Sequence, residues 1–182
     1  EAPLRTAWGF ACVVDTADER VLFDTGSDGP MLIGNMRALG IDPQTIDVLV
    51  LSHEHWDHTG GIDALLESGA RPVAYVARSF SAAIRERLAS VVPVVEVGER
   101  SDIGRVARTT GEIGTSIVEQ GIAVPTRQGS VVVTGCAHPG IAEMVRVAAG
   151  GDPVALVVGG FHLKDAEERE IGGDDVDFSR ID

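Results

Sequence analysis

The chain has 182 residues, 44% of them hydrophobic and 24% charged, the composition of one folded domain with a real core rather than of a disordered chain. Its 15 Lys and Arg against 28 Asp and Glu give a formal charge of −13, which argues against a general nucleic-acid surface because phosphate binding needs clustered cations. No apolar run approaches the roughly 20 residues that cross a bilayer. The segment Glu1-Ala2-Pro3-Leu4-Arg5 lacks the regions of a signal peptide, so a soluble, cytoplasmic protein with a small-molecule substrate is expected, and no feature selects an oligomeric state. Cys12 and Cys136 are too few for a disulfide framework and fit a reducing compartment. An acidic protein that handles an anion needs local positive charge, and a bound divalent metal is one concentrated source of it.

In chain order, Gly9 to Val14, Arg20 to Phe23 and Ile46 to Leu51 read as strands, and Pro30 to Leu39 as a helix ending at Gly40. A helix over Gly60 to Ser68 with a stop at Gly69, a strand over Pro72 to Ala77, a helix over Ser79 to Ala89 and a strand over Val91 to Val97 continue the alternation. Gly98 to Ser116, rich in Gly and charge, reads as a long functional loop. Strands at Gly121 to Pro125 and Ser130 to Thr134, a helix from Gly140 to Ala149 and a buried strand at Val154 to Val158 follow. The segment from Lys164 onward is an acidic, apolar-poor tail. The pattern, without a fixed-period repeat or linker, predicts a single mixed α/β domain.

Of five histidines, three lie in the run His53-Glu54-His55-Trp56-Asp57-His58, directly after the strand-like Ile46 to Ser52. In an extended segment alternate side chains share one side, so His53, His55 and Asp57 can converge, and His58 turns in as the next helix begins. Imidazole with carboxylate suits zinc and related first-row metals, and the pair Gly60-Gly61 lets the backbone bend around a site. His138 follows Val131 to Thr134 and His162 follows Ala155 to Val158, so every histidine sits just past a predicted strand, where α/β sheets gather their ligand sites. A lone histidine at a strand end is more often a solvated loop residue; three with an aspartate in six residues are better explained by a metal.

The block Leu51 to Gly61, with the upstream Leu22-Phe23-Asp24-Thr25-Gly26, resembles the signature of the metallo-β-lactamase superfamily. Thr109 to Gly114, Thr134 to Gly140 and Gly159 to Leu163 resemble its branch of dihydropterin-linked (methanopterin-pathway) synthases, and the likeness runs from about Trp8 to Leu163. The resemblance implies an α+β fold, an αββα sandwich of two mixed sheets flanked by helices, with one or two divalent ions per chain, zinc first and manganese or iron as alternatives. It implies that His53, His55 and His138 hold one metal and Asp57 and His58 a second. A metal-bound water acidified toward pKa ~7 would attack a carbonyl or phosphoryl centre, with Asp57 orienting it and passing its proton on. His162 stands where many members carry a bridging aspartate, as a ligand or as a pocket wall. The branch's first strand and its later His-Cys-Thr-Gly-like block are expected to be missing.

Further residues carry two readings each. Asp24 either fixes a ligand imidazole or caps a turn. Trp56 either stacks on a flat substrate such as a pterin or packs beside the metal loop. Cys136 is a soft ligand or, the stronger reading, a small buried residue. Thr109 to Gly114 either meets substrate through backbone N–H groups or forms an ordinary turn. Three rival functions compete with hydrolysis. Asp24-Thr25-Gly26 matches an aspartic-protease triplet, but one copy would require a dimer and leaves the histidines unexplained. A di-iron oxidoreductase of the same fold places a carboxylate where this chain has His55. A non-catalytic metal-binding relative is the third.

Overall fold

The computed structural model describes residues 3–162; the acidic tail expected from Lys164 lies outside them. Five strands form the first sheet in chain order: β1 (Cys12–Asp15), β2 (Arg20–Phe23), β3 (Val48–Val50), β4 (Val73–Ala77) and β5 (Val94–Val97). β1 and β2 are an antiparallel pair, while β2 to β5 run parallel. Parallel neighbours need crossovers. Helices supply them: α1 (Gly29–Ala38) between β2 and β3, α2 (Trp56–Thr59) and α3 (Ile62–Glu67) between β3 and β4, and α4 (Ala82–Ala89) between β4 and β5.

The second sheet is an antiparallel meander of β6 (Glu99–Ile103), β7 (Ala107–Gly111), β8 (Ile122–Thr126) and β9 (Gly129–Thr134). Helix α5 (Ile141–Ala149) then returns the chain so that β10 (Val154–Gly159) pairs parallel to β9. Alternation along the strands divides the core into three layers. Leu22, Leu49, Ala74 and Val76 face the helices of the first sheet. Val21, Phe23, Val48 and Val50 face Ile103, Ile122, Val124 and Val133 of the second. On the far side Ile141, Met144, Val145 and Ala148, spaced as one helical stripe, cover Ala123 and Val132. The architecture is therefore the expected αββα sandwich of two mixed sheets. No helix among the described residues is long and apolar enough to cross a membrane.

Three expectations are corrected. Gly98 to Ser116 is mostly a hairpin, because Ala107 and Thr109 alternate inward against β8 while β6 keeps Glu99, Arg100, Ser101 and Asp102 in solvent as the sheet's edge. The helix read over Gly60 to Ser68 is present as α3, and a separate short helix, α2, precedes it over Trp56–Thr59. Gly60 and Gly61 keep ordinary right-handed backbone, so bending is not their purpose. Close approach is: a Cβ on Gly61 would collide with the Thr25 carbonyl and Leu32. β10, apolar enough to read as buried, is an edge strand that leaves Leu156 53% exposed.

Candidate metal centre

The site is built from the ends of four strands. Asp24 follows β2, Ser52 and His53 follow β3, Cys136 to His138 follow β9, and Gly160 to His162 follow β10. Parallel pairing of β2 with β3 and of β9 with β10 puts these ends side by side within each sheet. The Gln120 N–H, donating to the Ser52 carbonyl at 2.9 Å, ties the two sheets together there.

Asp24 is fully buried and has a left-handed backbone, φ 56°. Its carboxylate accepts from the Ser52 N–H and hydroxyl, both at 2.7 Å, and from His58 Nδ1 at 2.6 Å. The Ser52 Oγ, having given its proton to Asp24, accepts from His53 Nδ1 at 2.9 Å. One carboxylate thus orients both rings: each is held through Nδ1 and presents Nε2 to the site. Burial works against charge on His58, but the hydrogen bonds to Asp24 and Cys136 outweigh it and push its pKa up to about 10. Burial likewise raises Asp24, so the pair holds a proton between them. His53 goes the other way, pushed down to about 2 by burial and then by His58, His55 and His138. His138 falls to about 4, through burial and then His162 and His55. Both are neutral imidazoles at pH 7, the form that ligates a metal.

All five imidazoles converge. Ring centroids lie 4.2 Å apart for His53 and His58, 4.5 Å for His53 and His55, 4.9 Å for His138 with either His53 or His55, and 4.5 Å for His138 and His162. Two groups bring their ligand atoms within 4.8 Å of one another: His53 with Cys136 and His138, and Asp57 with His58 and Cys136. His138 Nε2 is buried without a hydrogen-bond partner. A buried ring nitrogen with no hydrogen-bond partner among the described residues, beside other imidazoles, a carboxylate and a thiol, is a donor set that fits a divalent first-row cation.

The expected residues take distinct places. His53, Asp57 and His58 are buried and His138 is half-buried. His55 and His162 are exposed and border the groove, His55 with Nδ1 3.0 Å from His53 Nε2. Asp24 fixes imidazoles, and its burial removes it from any open protease-like cleft. Trp56, 65% exposed, edges the groove of about 750 Å³ rather than packing inside. Thr109 to Gly114 lies away from the groove, its hydroxyls spent on Gln120, Gly111 and the Gly121 N–H. Cys136 is not a small buried filler: its Sγ lies 3.1 Å from His58 Nε2.

Sequence reasoning missed three residues altogether. Ser52 was hidden as an ordinary strand-end serine. Glu119, fully buried, accepts from the Ala137 N–H, the His138 N–H and the Thr134 hydroxyl at 3.0 to 3.1 Å. Trp8 lines the groove because Gly9, φ 91°, packs on the Asp57 carbonyl where a Cβ would not fit. No local pattern marks a contact between residues so distant in the chain.

Comparison with known proteins agrees with this architecture. The model of the metallo-beta-lactamase superfamily matches residues 9–153. The chain is 28% identical over 201 aligned positions to the 7,8-dihydropterin-6-methyl-4-(beta-D-ribofuranosyl)-aminobenzene-5'-phosphate synthase of Methanocaldococcus jannaschii, covering 84% of this chain and 68% of that one. Among solved structures, Tm1679, a metal-dependent hydrolase of the beta-lactamase superfamily, superimposes with a TM-score of 0.64 at 27% identity, over 81% of this chain and 69% of the other. A quorum-quenching N-acyl homoserine lactone lactonase shares the fold, with a TM-score of 0.53 at 19% identity over 66% and 57% of the two chains. A family model that spans most of the strands and helices described above, on a sandwich whose strand ends gather the histidines, makes this chain a member of the metallo-β-lactamase superfamily.

Proposed function

We propose that the protein is a metal-dependent hydrolase of a small-molecule ester, lactone or phosphoester, with a dinuclear centre that takes zinc in preference to manganese or iron. One observation carries the reading: five imidazoles, Asp57 and Cys136 converge beside an open groove, with His138 Nε2 buried and without a hydrogen-bond partner among the described residues. His53, His55 and His138 would hold one ion and Asp57 and His58 the other, with His162 beside His138. When bound, such ions supply Lewis acidity, both toward a water and toward the attacked centre.

The chain's own groups supply the rest. Asp24, directly and through Ser52, holds His58 and His53 in the tautomer that presents Nε2. Asp57, its carboxylate 3.7 Å from His58 Nε2, orients the attacking water, accepts its proton and delivers it to the leaving group. Trp56 and Trp8, both largely exposed at the groove, offer faces on which a flat ring stacks, and the compound for which the Methanocaldococcus synthase is named, a dihydropterin-linked phosphate, has that flat ring and a negative charge. The net charge of −13 favours such a small molecule over a nucleic acid.

The test is metal content of the parent, His53→Ala and His58→Ala proteins, followed by a screen of esters, lactones and phosphoesters. About two ions in the parent, with each variant losing a different one, is the expected result. A parent that takes up no zinc or manganese would sink the reading and leave a fold without its chemistry.

A further inference from the structure

Cys136 belongs to both ligand groups, and among the described residues no other side chain does. Its Sγ lies within 4.8 Å of the donor atoms of His53 and His138 on one side and of Asp57 and His58 on the other. Without it, Asp57 and His58 have each other and no third donor in that group. The backbone is arranged to aim it. Ala137, between Cys136 and His138, has a left-handed conformation, φ 59°, which a non-glycine residue adopts only when its surroundings hold it. Glu119 does the holding: its two carboxylate oxygens accept the N–H groups of Ala137 and of His138 at 3.0 Å each. The kink turns two side chains, two positions apart, into the same space. Gly135 completes it, since a Cβ there would strike the Ser52 hydroxyl and Glu119.

We propose that Cys136 is a metal ligand shared by the two sites, its thiolate sulfur completing an Asp57-His58-Cys136 set while facing the His53-His138 pair. This rests on the metal-dependent reading above and sharpens it by assigning a soft donor. As the sulfur binds, the thiol proton leaves to solvent and the sulfur supplies the electron pair of the new bond. A thiolate at the junction selects thiophilic ions, zinc, cobalt or cadmium, over manganese or magnesium.

Cobalt(II) makes the assignment visible, because a thiolate on Co(II) gives a near-ultraviolet charge-transfer band in addition to the visible bands of any tetrahedral Co(II) site. Metal-free parent, Cys136→Ser, Cys136→Ala and Cys12→Ser proteins would be titrated with Co(II), with circular dichroism to establish that each is folded. The expected result is a charge-transfer band in the parent and in Cys12→Ser, lost in both Cys136 variants, whose stoichiometry falls from about two ions to about one. Zinc should also protect Cys136, but not Cys12, from alkylation by iodoacetamide in the unmutated protein. Visible Co(II) bands in the parent without the charge-transfer band would overturn the sulfur assignment and leave the metal centre standing, as would a band lost in Cys12→Ser instead. A folded parent that binds no Co(II) or zinc overturns the metal centre itself, and the ligand with it. Should the Cys136 variants not fold, the band and the protection in the parent and Cys12→Ser still decide the matter.

Discussion

At the scale of single residues, the site depends on a carboxylate that touches no groove. Asp24 takes three hydrogen bonds and spends them on orienting two imidazoles and one hydroxyl. Asp24→Ala leaves the Ser52 N–H and His58 Nδ1 buried without an acceptor, which should cost about 3 kcal/mol of stability in urea titrations. Asp24→Asn, of nearly the same shape, should fold with a smaller loss yet weaken zinc binding by on the order of 10- to 100-fold, because the amide cannot anchor both partners as a carboxylate does. Equal zinc affinity in Asp24→Asn and parent would remove Asp24 from the ligand-orienting role. Titration offers a second test at this scale. His53 and His138 have pKa values of about 2 and about 4, below the usual 6.5. As the pH of metal-free protein falls below 6.5, the unfolded chain therefore takes up protons that the folded chain refuses, and stability drops. His58, raised to about 10, contributes fully below 6.5 and loses its contribution as the pH climbs toward 10. The three rings together thus contribute most near pH 6.5, while Asp24 and Glu119, both raised by burial, act in the opposite sense on the acid side. The urea midpoint of the parent should therefore fall more steeply from pH 6.5 to 5 than that of His53→Ala, and equal slopes would contradict the burial of His53 as a neutral ring.

Among elements, legibility in the sequence tracked how far each segment's burial matched its chemistry. β2 was read with the boundaries it has, because Val21, Leu22 and Phe23 are all apolar and all buried. The β6–β7 hairpin was not, because its buried positions include the polar Thr109 and Thr110, one on each face, and its edge strand carries charge. β10 erred the opposite way, apolar in composition but at a sheet edge. Gly60-Gly61 joins α2 to α3 beneath the β2–α1 loop, and Thr25 receives the Gly61 N–H on its hydroxyl at 3.1 Å. Gly61→Ala should destabilise the fold by about 1 to 3 kcal/mol through the collision with the Thr25 carbonyl, although alanine is the better helix former. A neutral or stabilising Gly61→Ala in thermal melts would mean that the loop yields freely.

For the whole molecule, the sandwich was legible because alternating strand and helix patterns and the histidine run sit in consecutive windows of sequence. The site was legible only in part. Histidines announce themselves by type and by position after strands, whereas Ser52, Glu119, Trp8 and the Cys136 orientation exist only after four strand ends from two sheets meet. If that meeting point is held by metal, its removal is felt by the entire fold. At a free zinc concentration near 100 times the dissociation constant, binding adds about 3 kcal/mol. A chelator should then lower the melting temperature by about 8 °C in a chain of this size. An unchanged melting temperature, with metal shown to have left, would mean that the strand ends are rigid without it.

The chain of contacts from His53 through Ser52 to Asp24 and on to His58 has a thermodynamic corollary. On the dinuclear reading proposed above, the two ion positions would share this one anchor, so any effect of filling the first on the affinity of the second would be matched by the same factor in the reverse order. Zinc titration of the metal-free protein, with one-ion and two-ion species separated by native mass spectrometry, measures that factor, and independent filling would show that the anchor carries no coupling.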